Sequence, residues 1–168
     1  LRAALDWSYQ ILPEDEQLLL RHVAVFVGGC SLDAVEQVVP RPARDSRPQL
    51  DRLASLVDKS LLRQEPTATG EARFHTLETV RQYAAEQLCA LGPAAVGAAR
   101  AAHRDYYLAL AEAAAPQLVA AGQGAWLDRL DAELGNLRAA IAVTVVQADP
   151  APGLRRRRIT RRPAERAG

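Results

Sequence analysis

Residues 61–75 read LLRQEPTATGEARFH and contain two short extended runs, 61–65 and 71–75, on either side of a turn. Pro66 and Gly70 lie in the turn, where their backbone preferences favour a chain reversal. No other segment of the sequence carries this pattern. The sequence therefore predicts a single β-hairpin.

Helical patterns surround this hairpin. Four helices are predicted before it: residues 1–12, a second from Pro13 that stops at Gly28-Gly29, a short third capped by Ser31, and 48–59, opened by a capping box from Ser46 to Gln49. A further helix begins near Leu77 and closes at Gly92-Pro93. Helices, one hairpin and another helix follow the order of a winged-helix domain. We therefore predict such a domain over residues 1–92, with 48–59 as its third helix and the hairpin as its wing.

The segment 93–149 is all helical by the same criterion. One helix carries apolar residues from Val96 to Leu110, and another carries them from Leu127 to Ile141. Joined around 116–124, the two helices form an α-helical hairpin, the unit of helical repeat arrays. A lone pair seldom buries its own apolar face, so it should lean on the winged helix or continue into further repeats. The predicted fold is mainly α: a winged-helix domain followed by the first hairpin of a repeat-like (TPR-like) array.

Composition and charge limit the function classes. The chain has 168 residues, 49% of them hydrophobic, and its apolar stretches are too short to span a membrane. No secretory signal is visible, and Cys30 and Cys89 form neither a disulfide framework nor a zinc motif, so the cytoplasm is the predicted compartment. The chain lacks Met and begins inside a predicted helix, which predicts a fragment of a longer product.

The positive charge is concentrated at the end of the chain. Residues 150–168 hold seven Arg and one Glu, a charge of +6, which leaves −5 for residues 1–149 out of the total of +1. We predict a disordered Arg-rich tail over 150–168. Such a tail could hold nucleic acid weakly, although a shifted reading frame would also explain its composition.

No catalytic or metal-binding constellation is visible. Lys59-Ser60 follows Asp58 without the glycine loop that would cradle a phosphate, and the three histidines (22, 75 and 103) lie on separate elements. The carboxylates 14–16 are explained by a helix N-terminus. We therefore expect no enzyme activity, no catalytic residue and no metal site in this chain.

DNA binding is the obvious hypothesis for a winged helix, but the charges do not favour it. The third helix offers Gln49, Arg52 and Lys59, offset by two aspartates, and has no net charge over 48–59. The wing sets two arginines against two glutamates. The electrostatic attraction that supplies most non-specific DNA affinity is therefore missing from the predicted domain.

Four ordered blocks resemble a known class of proteins. They are Leu5-Asp6-Trp7-Ser8-Tyr9 through Leu12, residues 24–32 (AVFVGGCSL), 56–62 (LVDKSLL) and 77–84 (LETVRQYA), followed by 130–140 (LDAELGNLRAA). Together they resemble the segment behind the ATPase module in large bacterial transcriptional activators of the STAND class (NB-ARC type), and the match covers about residues 1–149.

The resemblance implies a regulatory part. In that class the winged helix holds an upstream ATPase domain closed around ADP, and helical repeats sense the signal that allows exchange for ATP. A histidine at the end of the wing approaches the ADP phosphates, and Phe74-His75-Thr76 occupies the comparable place. Thr76 departs from the family's Asp, and an exposed strand-end residue is the equal alternative for His75.

Two functions follow from these observations. The first is a regulatory module that gates an upstream ATPase domain and couples it to helical repeats, with ADP or ATP bound only together with that domain and His75 as the one cofactor-contacting residue. The alternative is a free-standing winged-helix DNA-binding regulator, or a truncated remnant. Neither involves a membrane.

Overall fold

The computed structural model describes residues 2–41, 47–67, 70–119 and 123–148. The predicted tail, 150–168, lies outside these residues. The elements in chain order are α1 (Arg2–Gln10), α2 (Glu14–Val23), β1 (Cys30–Ser31), α3 (Leu32–Val38), α4 (Gln49–Asp58), β2 (Arg63–Pro66), β3 (Ala72–His75), α5 (Glu78–Ala90), α6 (Pro93–Ala114), a 3-10 turn (Gln117–Val119), α7 (Gln123–Ala132) and α8 (Leu134–Ala148). The predicted fold class, a winged helix followed by helices, is confirmed.

The sheet has one strand more than the sequence predicted. The strand order is β1-β3-β2, and both neighbouring pairs are antiparallel. Cys30 of β1 pairs with Phe74 of the central strand, β3. The predicted hairpin is present as β2 and β3, with Arg63 opposite His75. β1 has only two residues, too few for an alternating pattern, so pairing with β3 defines it as a strand.

α2 ends earlier than predicted. It stops at Val23, and the next residues form tight turns in which the N–H groups of Val25 and Phe26 donate to the carbonyls of His22 and Val23. Phe26 is buried within this turn. The apolar spacing that extended the predicted helix to Phe26 therefore indicates a buried residue that is not part of a helix. Gly28 and Gly29 follow with φ of +80° and +88°, and they turn the chain into β1.

The start of α4 also differs from the prediction. Ser31 does cap α3, accepting a hydrogen bond from the Ala34 N–H at 3.2 Å. Pro48, however, is the N-cap of α4 and caps nothing with its side chain. Gln49 is buried in the first turn and donates to the Val39 carbonyl at 3.5 Å, so it cannot serve as the second member of a capping box. Ser46 lies outside the described residues.

The helix predicted from Leu127 to Ile141 is two helices, α7 and α8, with a break at Glu133. The Glu133 N–H donates to the carbonyls of Arg129 and Leu130 at 3.1 and 3.2 Å, so Glu133 closes the last turn of α7. At this break the Glu133 side chain is 5% exposed and bonded to Arg73 of the winged helix.

One hydrophobic core extends from the winged helix into the helical pair. α6 packs chiefly on α8, and it also contacts α3 and α5. The core cluster joins buried residues of both segments, among them Leu19, Phe26, Val35, Leu53, Leu56, Phe74, Ala84, Tyr107, Leu110 and Ala140. The predicted leaning of the pair on the winged helix is therefore observed. The boundary at residue 92 stays a prediction.

Candidate nucleic-acid interface

α4 is the helix that would read a DNA groove, and most of its polar donors face the protein. Gln49 and Arg52 have no exposed surface, and together with Leu53 and Leu56 they form the buried side. The exposed positions of the helix are Leu50, Asp51, Ala54 and Asp58. The described solvent face of α4 is thus apolar and acidic.

The carboxylates at the start of α2 hold the basic side chains of α4. Arg52 Nε lies 3.2 Å from Asp15 Oδ2, and its NH1 donates to Gln49 Oε1 at 2.9 Å. Lys59 Nζ lies 2.7 Å from Glu16 Oε2, and Ser55 Oγ donates to Glu16 Oε1 at 2.9 Å. The sequence explained 14–16 by the helix dipole alone. Asp15 and Glu16 also fix the α2–α4 packing.

The wing exposes less positive charge than predicted. Arg63, Gln64 and Glu65 of β2 are exposed, whereas Arg73 of β3 is 7% exposed and faces inward. Among the described wing residues, Arg63 is therefore the cation available to a phosphate. Glu65 lies two residues further along β2, and its negative charge opposes the positive charge of Arg63.

His75 lies at the end of β3 against the Gly28-Gly29 turn. Its side chain is 31% exposed, and Nε2 lies 3.9 Å from Glu65 Oε2. A Cβ on Gly29 would come within 2.7 Å of His75 Nδ1, so the imidazole packs directly on that glycine. The surroundings are compatible with an exposed strand-end residue, and a contact with ADP phosphates stays a prediction.

The N-terminus of α5 follows two residues after His75. Leu77 is its N-cap and makes no side-chain capping bond, and Glu78 stands in the first turn. Hydrogen bonds from Arg81 and then Gln82 lower the pKa of Glu78 to about 2, so this carboxylate is charged at neutral pH. An anion at this helix end would approach a carboxylate already satisfied by Arg81.

A buried polar network, which the sequence did not predict, joins the wing to the helical pair. Arg73 forms a two-pronged ion pair with Glu133, NH1 to Oε1 at 2.7 Å and NH2 to Oε2 at 3.2 Å. Its other donors reach the carbonyls of Gly28 at 3.0 Å and Gly29 at 3.1 Å. The Tyr107 hydroxyl donates to Glu133 Oε2 at 3.0 Å. Glu133 is thus bonded to both β3, through Arg73, and α6, through Tyr107.

Asn136 completes the network from the first turn of α8. Its Nδ2 donates to the Gly29 carbonyl at 2.9 Å and to Glu133 Oε2 at 2.7 Å. Its Oδ1 accepts from the Val27 N–H at 2.6 Å and lies 3.2 Å from His103 Nε2. The one available signal in the sequence was a pair of polar residues, Glu133 and Asn136, inside an apolar helical pattern.

The network fixes the proton of His103. Because Asn136 Oδ1 can only accept, His103 Nε2 must donate to it, and in the neutral ring Nδ1 is left as an acceptor. His103 is 3% exposed, and burial lowers its pKa against the opposing effects of Asn136 and the Glu133 charge. The imidazole is thus held neutral between Phe26 and Tyr107.

We expect this histidine to make the fold sensitive to mild acid. A base whose pKa is lower when folded binds more protons when unfolded, so stability is lost as the pH falls through and below 6.5. Thermal unfolding of the wild type from pH 7.5 to 5.5 measures this loss. His22 has a lowered pKa as well. His103→Gln should therefore reduce the loss without abolishing it. An unchanged pH dependence in His103→Gln would contradict the prediction.

Among the described residues, no group of three or more His, Cys, Asp or Glu side chains is arranged to hold a metal ion. None of the described helices is both long and apolar enough to cross a bilayer.

A family model described as a winged helix-turn-helix domain matches residues 12–89. The chain is 44% identical over 142 residues to the Putative HTH-type transcriptional regulator Rv0890c of Mycobacterium tuberculosis and to Mb0914c of Mycobacterium bovis, which bears the same description. Each match covers 84% of this chain and 16% of the relative, so the chain spans a small part of these proteins.

A shorter relative is the Uncharacterized protein Rv0894 of Mycobacterium tuberculosis, 38% identical over 95 residues. That match covers 56% of this chain and 24% of the relative. No solved structure matches the chain.

Proposed function

Since residues 12–89 form a winged helix-turn-helix domain and the chain is homologous to proteins described as HTH-type transcriptional regulators, we propose that it is a winged-helix module acting in transcriptional regulation. The homology over 84% of the chain carries this proposal. The module would be a non-enzymatic part of a cytoplasmic regulator. Two finer readings differ in what the module contacts.

Direct binding to DNA is the reading that the comparisons support better, because the relatives are described as HTH-type. The described surface limits how such binding would work. Arg63 and Gln64 of the wing are exposed, but Gln49 and Arg52 of α4 are buried and Lys59 is paired with Glu16. Contact would then depend on DNA phosphates that meet the wing and the Arg-rich residues 150–168. Phosphate contacts position a protein on DNA but do not read its bases.

Gating of an upstream ATPase domain is the second reading, and the solvent face of α4 favours it. Leu50 is 46% exposed there, beside Asp51, Ala54 and Asp58, a composition that suits a protein contact more than a phosphate backbone. The intramolecular partners would be the ATPase domain and the helical repeats. ADP or ATP would bind only together with that domain, with His75 near the phosphates.

A DNA titration of the full chain tests whether residues 1–149 recognise a DNA sequence. We expect sequence-independent binding to labelled duplex at about 10⁻⁴–10⁻⁶ M, measured by fluorescence anisotropy, and loss of that binding when the chain ends at residue 149. Arg63→Ala should weaken binding more than Arg138→Ala, an exposed arginine of α8 that serves as the matched control.

The opposite result would decide for DNA binding. Tight binding that depends on the duplex sequence and survives removal of residues 150–168 would overturn the gating reading. Substitution of Asp51 or Asp58 with Asn would then be expected to tighten binding further, because both carboxylates lie on the exposed face of α4.

A further inference from the structure

A cavity lies where the winged helix meets the helical pair. It is bordered by α5, α6, α8 and the turn after α2, and its volume is about 220 Å³. Most of its walls are apolar, and Val25, Leu88, Val96 and Val143 are among the residues that line it. A dry cavity of about 150 Å³ holds a benzene molecule, so this space suits a ligand of roughly ten non-hydrogen atoms.

The charges at the cavity all have one sign. Arg81 and Arg100 line it, and none of the described carboxylates does. Arg81 is held by Glu78 at 2.7 and 2.8 Å, which offsets its charge. Arg100 is exposed on α6 and has no hydrogen bond or ion pair with any other described residue. The cavity therefore combines an apolar interior with a guanidinium that no described residue pairs with, and a guanidinium is the group best suited to bind a carboxylate.

His103 adds a polar group to the cavity lining. Its Nε2–H is committed to Asn136, and Nδ1 has no hydrogen-bond partner among the described residues. In the neutral ring Nδ1 carries a lone pair, so it can accept a hydrogen bond from a ligand hydroxyl or amine. Apolar walls with a few convergent polar groups at a junction between structural units are typical of small-molecule sites.

We propose that this cavity binds a small organic carboxylate with a compact apolar body, its carboxylate on Arg100 and a hydrogen-bond donor on His103. The ligand would contact elements of both the winged helix and the helical pair. Its binding would therefore favour one arrangement of the two. The regulatory role of ligand binding rests on the proposed function, whereas the binding itself does not.

The test uses the full chain and four probes of the estimated size: benzoate, 4-hydroxybenzoate and their uncharged amides. We expect 4-hydroxybenzoate to bind with roughly millimolar affinity or better, measured by calorimetry. The amide and the Arg100→Ala variant should each weaken binding about tenfold. Arg138→Ala, which removes an exposed arginine outside the cavity, should leave the affinity unchanged.

Cys89 provides an independent readout, because it is exposed and lines the cavity. Burial raises the pKa of the other thiol, Cys30, to about 12, so a thiol reagent should modify Cys89. Saturating 4-hydroxybenzoate should slow this modification, and Val96→Phe, which fills part of the cavity, should remove the protection. Equal affinity for acid and amide, equal effects of Arg100→Ala and Arg138→Ala, or no binding of any probe at 10 mM, about ten times the expected limit, would each overturn the proposal. These outcomes leave the DNA titration unaffected.

Discussion

Arg73→Ala is expected to destabilise the chain by about 3–5 kcal/mol, since removing one partner of a buried ion pair leaves the other charge buried and uncompensated. Glu133 would keep only the Tyr107 and Asn136 bonds, and the Gly28 and Gly29 carbonyls would lose their guanidinium donors. The free energy of unfolding from urea denaturation measures the effect. With a loss of this size, a domain of ordinary stability would be largely unfolded at moderate denaturant.

Two further variants separate the ion pair from charge in general. Arg81→Ala removes an arginine whose pair with Glu78 is exposed, and it should cost at most about 1 kcal/mol. The double variant Arg73→Met with Glu133→Leu removes both buried charges, and it should recover part of the stability that Arg73→Ala loses. If Arg73→Ala cost no more than Arg81→Ala, the network would not hold the helical pair on the wing.

The sequence predicted those features of the fold that local signals specify. Pro66 and Gly70 mark the hairpin, Ser31 marks the start of α3, and apolar spacing marks the helices on both sides. Each depends on residues within a few positions of one another. These signals sufficed for the winged-helix order.

The features that the sequence missed depend on partners far along the chain. Glu133, at the break between α7 and α8, pairs with Arg73, which lies sixty positions earlier in the chain. Because the sequence does not show this pairing, Arg73 was counted among the charges of the wing surface. Likewise, the zero net charge of residues 48–59 can be counted from the sequence. Only the fold shows that Arg52 and Lys59 face the carboxylates of α2.

The candidate site shows the same division. Charge counting predicted a weak DNA surface, which stays a prediction, whereas the burial of Gln49 and Arg52 became visible only in the fold. The position of His75 on Gly29 could not be predicted, because the close contact joins a turn to the end of a strand about forty-five residues later. The cavity beside Arg100 draws on four separate elements and has no signature in the sequence.

The Gly28-Gly29 turn allows a prediction with an internal control. Both glycines have positive φ, so Ala at either position carries a backbone penalty of about 1–2 kcal/mol. A Cβ on Gly28 would meet no atom of the described residues within 4 Å, whereas one on Gly29 would lie 2.8 Å from the Phe74 carbonyl oxygen and 2.7 Å from His75 Nδ1. Gly29→Ala should therefore cost about 2–4 kcal/mol by urea denaturation, and Gly28→Ala only the backbone penalty.

The difference between the two variants reports the close packing of the turn on β3. Adding His75→Ala to Gly29→Ala removes the imidazole but not the Phe74 carbonyl, so it should restore part of the lost stability. Equal costs at the two glycines would show that φ alone makes the turn require glycine. Because the Gly29 carbonyl also accepts from Arg73 and Asn136, a displaced turn would weaken the buried network as well. In the double variant, the losses of stability caused by Gly29→Ala and Arg73→Ala should therefore be less than additive. Gly28→Ala combined with Arg73→Ala should show the same coupling to a smaller extent.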